Sequence, residues 1–480
     1  MTRPELKGDL TQGPILKTLL AFSLPTLLTN LLQSVNGTVN AIWVGKLIGE
    51  EALAATANAN IVMFLIFSAA FGFGMAGTVR IGQRYGGRDL DGSRRTFGTS
   101  VAFCALVGAF VAIVGWLAAP ALLHMLDTPG AAYGLALTYL RVIFISMPFG
   151  IVTIVIAMSL RGTGDARTPL IFMALSVAID VMLNPLLITG AGPLPEMGIA
   201  GSAMSTLSAN LISLLALLAF IYRRDLPLRL RGAELGYLLP KREELSFILA
   251  KGLPMGAQML VVSAAGIIVV GLVNREGLVA AAAYGAAMQL FTYVQMPAMA
   301  ISAAVSAMAA QYIGAGKMGE LDQVTRSGSM LNAGLTGAIT VLVLVFDRPA
   351  LGLFLEPGGA ALELARHIQY LSAWSFILFG VMMVYTGTLR AGGVVWRPLL
   401  VMAIALYPAR LGFYAVAYPL IGADAIWLSF PVGSFVSLVL AYGLYRFGNW
   451  RDKAQAVARG LAAEQATADA EPTGRPQPTI

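Results

Sequence analysis

Along most of this chain apolar residues run almost unbroken for twenty or more positions, and polar residues gather in short clusters between the runs. Each run is close to the ~20 residues that cross ~30 Å of hydrocarbon as a helix. Twelve runs are predicted to be transmembrane helices, over about 15–44, 52–77, 97–119, 132–159, 168–190, 198–222, 246–272, 279–312, 328–353, 361–388, 398–420 and 423–447. Strands that alternate apolar and polar residues are absent, which argues against a barrel. The first run contains Pro25 and no small-residue cleavage site, so it reads as a span and not as a removed signal.

Composition and charge fit this pattern. The chain is 57% hydrophobic and 12% charged, with mean hydropathy +0.75, whereas a soluble domain carries roughly 25% charge. An integral membrane protein is expected. Lys and Arg are retained on the cytoplasmic side of short loops. One side collects Arg3, Lys7, Lys17, Arg80, Arg84, Arg88, Arg94, Arg95, Arg161, Arg167, the linker arginines, Lys317, Arg390, Arg397, Arg451 and Arg475; the other has only Lys46, Arg275, Arg348 and Arg366. A multi-pass protein of the inner (plasma) membrane with both termini cytoplasmic follows. Net charge of +7 is accounted for by this asymmetry and by anionic lipid headgroups, so it gives no argument for nucleic acid. Cys104 is the single cysteine, and His124 and His367 lie far apart. No disulfide, metal site or cofactor is expected.

The chain is written twice. A shift of 229 residues lays "LRGTGDARTPLI" (160–171) over "LRAGGVVWRPLL" (389–400) and Leu24-Pro25 over Leu253-Pro254. One residue less lays Gln83-x-x-Gly86 over Gln311-x-x-Gly314. Two six-helix bundles are predicted, at 1–222 and 246–451, joined by a basic linker at 223–245 and followed by a polar, disordered cytoplasmic tail at 452–480. Six is even, so both copies enter the membrane from one side and the repeat is parallel, about a pseudo-two-fold axis along the membrane normal. Duplicated bundles with a site between them suit alternating access, which favours a transporter over a receptor or membrane enzyme.

The polar groups inside the spans mark the candidate site. Asp180 is the one carboxylate near mid-membrane, with Asn184 four residues on and Pro185 freeing the carbonyl of Val181. In the first span, Gln33, Asn36 and Asn40 fall on one helical face. Such amides also serve as interhelical glue, worth roughly 0.6 kcal/mol each. Three in register beside a lone Asp read as a lined cavity that holds a proton or a small hard cation such as Na+. The GxGD string at Gly162 to Asp165 matches intramembrane aspartyl proteases, but Asp165 lies in a loop and has no second aspartate at membrane depth. No GxxxxGK[ST] loop is present, so ATP does not drive the protein directly.

The order and spacing of "LTQGPILKTLLAFSLP", "NAIWVGKLIGEEALAA" and "LRGTGDARTPL…LNPLLITGAG…GIAGSA" resemble the MATE family (multidrug and toxic compound extrusion) over residues from about 10 to 447. The resemblance implies twelve helices in two lobes and a cation-coupled antiporter that expels amphipathic, often cationic, organic compounds. Members usually carry an acid at the position of Asn40, and many carry one directly before the fifth-span proline, where this chain has Asn184. Here the carboxylate has moved one turn, to Asp180. Gln33 matches a polar first-span position and Thr206 a sixth-span hydroxyl. The seventh-span acids of some members are missing, with Gln258 the nearest polar group. One acid among amides favours H+ over Na+ as the coupling ion. Met259, Met288, Phe291, Tyr293 and Met296, with Gln258, are expected to contact substrate, since Met and aromatic side chains suit promiscuous ligands. The protein is expected to act as a monomer among membrane lipids. A flippase of a lipid-linked substrate shares the two-bundle plan but needs a strongly basic cavity, and only Arg141 and Arg410 fall deep inside the predicted spans, away from their ends.

Overall fold

The computed structural model describes residues 8–125, 128, 130–190 and 195–470; Arg3, Lys7, Arg475 and tail residues 471–480 lie outside them. The described residues are nearly all helical. The N-terminal bundle comprises α1 (Ile15–Leu47), α2 (Glu50–Gly86), α3 (Leu90–Met125), α4 (Gly130–Gly162), α5 (Arg167–Thr189) and α6 (Ile199–Arg223). A short 3-10 turn at Gly232–Leu238 leads to α7 (Arg242–Arg275), α8 (Leu278–Gly314), α9 (Leu321–Val345), α10 (Asp347–Leu351), α11 (Ala360–Ser372) and α12 (Ser375–Ala391). After these come α13 (Trp396–Ile404), a π-helical segment (Ala405–Ala409), α14 (Arg410–Ile421), α15 (Asp424–Phe447) and α16 (Trp450–Ala470).

Among the described residues eleven helical spans are long and apolar enough to cross a membrane, and α11 with α12, bent by 44° at their junction, makes a twelfth if the pair crosses as one. The ninth span starts and stops earlier than the hydropathy pattern predicts. The helix begins at Leu321 because Leu321, Val324 and Gly328 bury one face of its polar first turns, and it ends before Asp347, which pairs with Arg366 at 2.7 Å.

Burial separates central from peripheral helices. The apolar stretches of α2, α4 and α8 are more than half buried, whereas those of α3 and α7 are about one-fifth buried. On α3 the exposed Leu106, Phe110, Ile113 and Leu117 repeat at spacings of four and three, the stripe expected of a lipid-facing surface. The two bundles meet through α1 against α8, its counterpart α7 against α2, and α2 against α8.

At the face where the N-terminus and the linker lie, here the basic face, the bundles are tied reciprocally. Gln83 Nε2 of α2 donates to the carbonyl of Ala391 at the end of α12 (2.7 Å), and Gln311 Nε2 of α8 donates to that of Gly162 at the end of α4 (2.9 Å). Residues 162 and 391 are equivalent under the 229-residue shift, so each glutamine satisfies one orphan carbonyl at the end of the other bundle's fourth span. Backbone contact beneath them is close. A Cβ on Gly86 would stand 2.1 Å from the carbonyl oxygen of Gln311, and one on Gly314 1.8 Å from that of Gln83. Glu244, at the start of α7, adds a buried charge contact: Arg84 Nη2 reaches it at 2.6 Å and Thr96 Oγ1 at 2.8 Å.

The described part of the tail, to residue 470, departs from the expected disorder. Residues 450–470 form α16, which carries Trp450, Ala454, Val457 and Leu461 on one face; Trp450, Ala454 and Leu461 are buried. Trp450 stacks on Tyr445 and donates Nε1–H to the Tyr445 carbonyl at 2.7 Å, and Glu464 reaches Arg84 at 3.3 Å. Alanine-rich composition hides this stripe from hydropathy while favouring the helix. Truncating a buried Trp costs about 3–5 kcal/mol. Trp450→Ala is therefore expected to undock α16, making residues 450–470 sensitive to protease while the spans stay resistant. Equal protease resistance in the variant would show that the stripe does not hold the helix.

Candidate functional site

Asp180 lies just past the middle of α5, is 2% exposed, and is gripped by donors from two neighbouring helices. From α1, Asn36 Nδ2 and Asn40 Nδ2 donate to its Oδ2 at 3.0 and 2.9 Å. From α6, Ser205 Oγ donates to Oδ1 at 2.7 Å, with Thr206 Oγ1 at 3.5 Å. Asn184, one turn along α5, donates to Asn40 Oδ1 at 2.5 Å. A helical period brings this about: residues 36 and 40 share a face of α1, as 180 and 184 share a face of α5. The phenol of Tyr139 on α4 is buried within the field of the carboxylate.

The site thus holds one carboxylate surrounded by neutral donors. Charge-assisted hydrogen bonds contribute about 1.5–3 kcal/mol each, and Asn36, Asn40 and Ser205 each supply one within 3.0 Å. Two amide oxygens, Asn36 Oδ1 and Asn184 Oδ1, are buried without a hydrogen-bond partner. As acceptors left over beside a carboxylate, they suit a cation or a proton-bearing group.

Gln33 stands apart. It lies one turn further from the carboxylate on α1 and is exposed, and it makes no hydrogen bond to the cluster. Ser205 was not singled out in the sequence, because a helical Ser ordinarily bonds back to its own helix; only its place beside Thr206 hinted at it. Pro25 sits inside α1, which nevertheless runs as a single helix of 33 residues.

The expected substrate contacts divide. Gln258, Met259 and Met288 are half-buried and Tyr293 is exposed. Phe291 is fully buried against Phe376, with ring centroids 4.6 Å apart, and Met296 is 8% exposed. Both therefore belong to the core of the C-terminal bundle and not to a ligand surface, since α8 is surrounded on nearly all sides.

The MatE family model matches the chain twice, over residues 25–186 and 254–415, with the same displacement of 229 residues. This chain belongs to the MATE family. "Probable multidrug resistance protein YoeA" of Bacillus subtilis (strain 168) is 34% identical over 434 residues, covering 90% of this MATE chain and 93% of that protein. "Probable multidrug resistance protein YpnP" of the same organism is 30% identical over 444 residues, covering 92% and 97%. Among solved structures, a crystal structure of MATE in complex with MaD3S superposes with TM-score 0.84 at 22% identity, covering 94% of this chain and 99% of that one. The outward-facing conformation of a multidrug resistance MATE family transporter superposes with TM-score 0.84 at 21% identity, covering 95% and 100%. At these identities the structures attest the fold. The family match and the repeated bundles identify a multi-pass MATE transporter.

Proposed function

We propose that this MATE transporter is a cation-coupled antiporter that moves amphipathic, often cationic, organic compounds out of the cell. Its membrane is the inner (plasma) membrane, and the basic face and both termini are cytoplasmic. The observation that carries the reading is the grip on Asp180 by the side-chain donors of Asn36, Asn40 and Ser205. An ionisable group at membrane depth is a functional group by default, and this one ties its own helix α5 to α1 and α6. The names of the B. subtilis relatives support the substrate class.

In the ionised state Asp180 accepts from both α1 amides. Protonation neutralises it and turns one oxygen into a donor. The amides of Asn36 and Asn40 must then rotate or release, so α1 loses its tether to α5 and is free to bend at Pro25. A cationic substrate competes with the proton for the same cavity, which is the exchange that antiport needs. Gln258, Met259, Met288 and Tyr293 supply the adaptable contacts. No cofactor is required, and the protein works as a monomer. The orphaned oxygens of Asn36 and Asn184 favour a second reading in which Na+ is the coupling ion.

Dye efflux from cells or inside-out vesicles under separately imposed pH and Na+ gradients tests both. A pH gradient alone is expected to drive efflux. Efflux driven only by Na+ selects the second reading, and efflux indifferent to both gradients overturns cation coupling.

A further inference from the structure

Asp180 has a charge-reversed counterpart. The 229-residue shift places Asp180 on Ala409, next to Arg410, at the end of the π-helical segment Ala405–Ala409. The surroundings correspond as well. Gly198 (φ 52°, ψ −132°) precedes α6 as Gly422 (φ 60°, ψ −140°) precedes α15. Seven residues after each comes a serine: Ser205, bonded to Asp180, and Ser429, which accepts from Arg410 Nε at 3.2 Å.

The rest of the counterpart site is unfinished. The α7 positions equivalent to Gln33, Asn36 and Asn40 are Val262, Ala265 and Val269, so no side chain there meets the guanidinium. Arg410 is 7% exposed and its Nη2 is buried without a partner. Its guanidinium lies 3.5 Å above the Phe430 ring. In the same aromatic cluster Tyr284 packs on Phe430 and stacks on Trp427, whose buried Nε1–H also has no partner. Among the described residues no carboxylate pairs with Arg410. Guanidinium and indole nitrogens donate and do not accept, so the missing partner is an acceptor, and beside an unpaired buried cation the favoured acceptor is negative.

We propose that Arg410 and Trp427 form an anion site in the C-terminal bundle that takes one monoanionic group, either a halide or the carboxylate of a zwitterionic amphiphile. Trp427 belongs to the same apolar cluster of the C-terminal bundle that half-buried Met288 packs against; the carboxylate case rests on the transport reading above and extends its substrates from cations to zwitterions.

Two equilibrium measurements on the purified full chain test this without any gradient, so a failure of antiport leaves them readable. Thermal unfolding in sodium bromide against sodium sulfate at equal ionic strength reports a free halide. Binding of rhodamine B against its ethyl ester, followed by fluorescence anisotropy, reports a carboxylate. A halide occupant raises Tm in bromide and leaves acid and ester alike. A carboxylate occupant gives the acid roughly tenfold tighter binding than the ester. In either case the effect is expected to vanish in Arg410→Met, to persist in Arg410→Lys, and to weaken several-fold in Trp427→Phe, which keeps the ring and removes the N–H. If Arg410→Met does not fold, the other two variants decide. Wild-type protein with neither a bromide shift nor an acid preference, or with effects that all three variants leave unchanged, would overturn the site and leave ordered water as the partner.

Discussion

Asp180→Asn is expected to reduce gradient-driven dye efflux to the level of vesicles without the transporter, while the protein still folds and inserts. Asn has nearly the shape of Asp, so packing between α1, α5 and α6 is kept. The amide retains one acceptor oxygen for Ser205, and the loss of charge assistance on the remaining bonds costs about 1–2 kcal/mol, seen as a modest fall in Tm. Function, however, needs a group that changes charge, and a carboxamide does not titrate. Substrate binding in the absence of a gradient is expected to survive, which separates lost coupling from lost folding. The companion change Asn40→Asp puts a second acid against the first, where two like charges cannot both ionise cheaply, and is expected to move coupling toward Na+. Efflux by Asp180→Asn at the wild-type rate under the same gradient would end the coupling role and leave the amides as packing contacts.

Gly314→Val, and independently Gly86→Val, is expected to hold the two bundles apart at the basic face and to stop turnover. Each side chain would start from a Cβ about 2 Å from a backbone oxygen of the opposite bundle, and backbone cannot swing aside as a flexible side chain can. Overpacking of this kind costs about 1–3 kcal/mol, a roughly 5- to 150-fold shift between two states. Spin labels at exposed Arg167 and Glu320, one in each bundle, report the separation. Cys104, the only cysteine, is buried, so labelling of introduced cysteines has a quiet background. The distance distribution is expected to lengthen in either variant. An unchanged distribution with full efflux would mean that closure at this face does not depend on the glycine contacts.

Periodicity made the amide stripe legible, because helices α1 and α5 each present one polar face and the side chains concerned are four residues apart. It could not show how far along the face the partner sits, and Gln33 falls one turn beyond it. Ser205 was hidden because the chain holds many helical hydroxyls, such as Thr26, Thr29 and Thr78, that bond to their own helices. Phe291 was misassigned for another reason: Gln289, Thr292 and Gln295, spaced by three, mark the open face of α8, and Phe291 beside them is buried in the core. The span count followed from run length, but the start of α9 and the whole of α16 depend on tertiary burial of small residues, which a hydropathy average cannot register. The tie between Gln83 and Gln311 was visible only as a repeated spelling until the fold set each against the other bundle.

That tie has the form of an isologous contact between two identical subunits, in which residue i meets j and j meets i. In a single-bundle ancestor assembled as a homodimer, one mutation to Gln would have created both bonds at once, so the contact needed no matching change on a second surface. A homodimer could not, however, place an acid in one protomer and a base at the same position in the other. Two bundles within one polypeptide carry no such restriction, and in this chain Asp180 and Arg410 stand at adjoining places of the two repeats: the seam is symmetric while the interiors differ in charge.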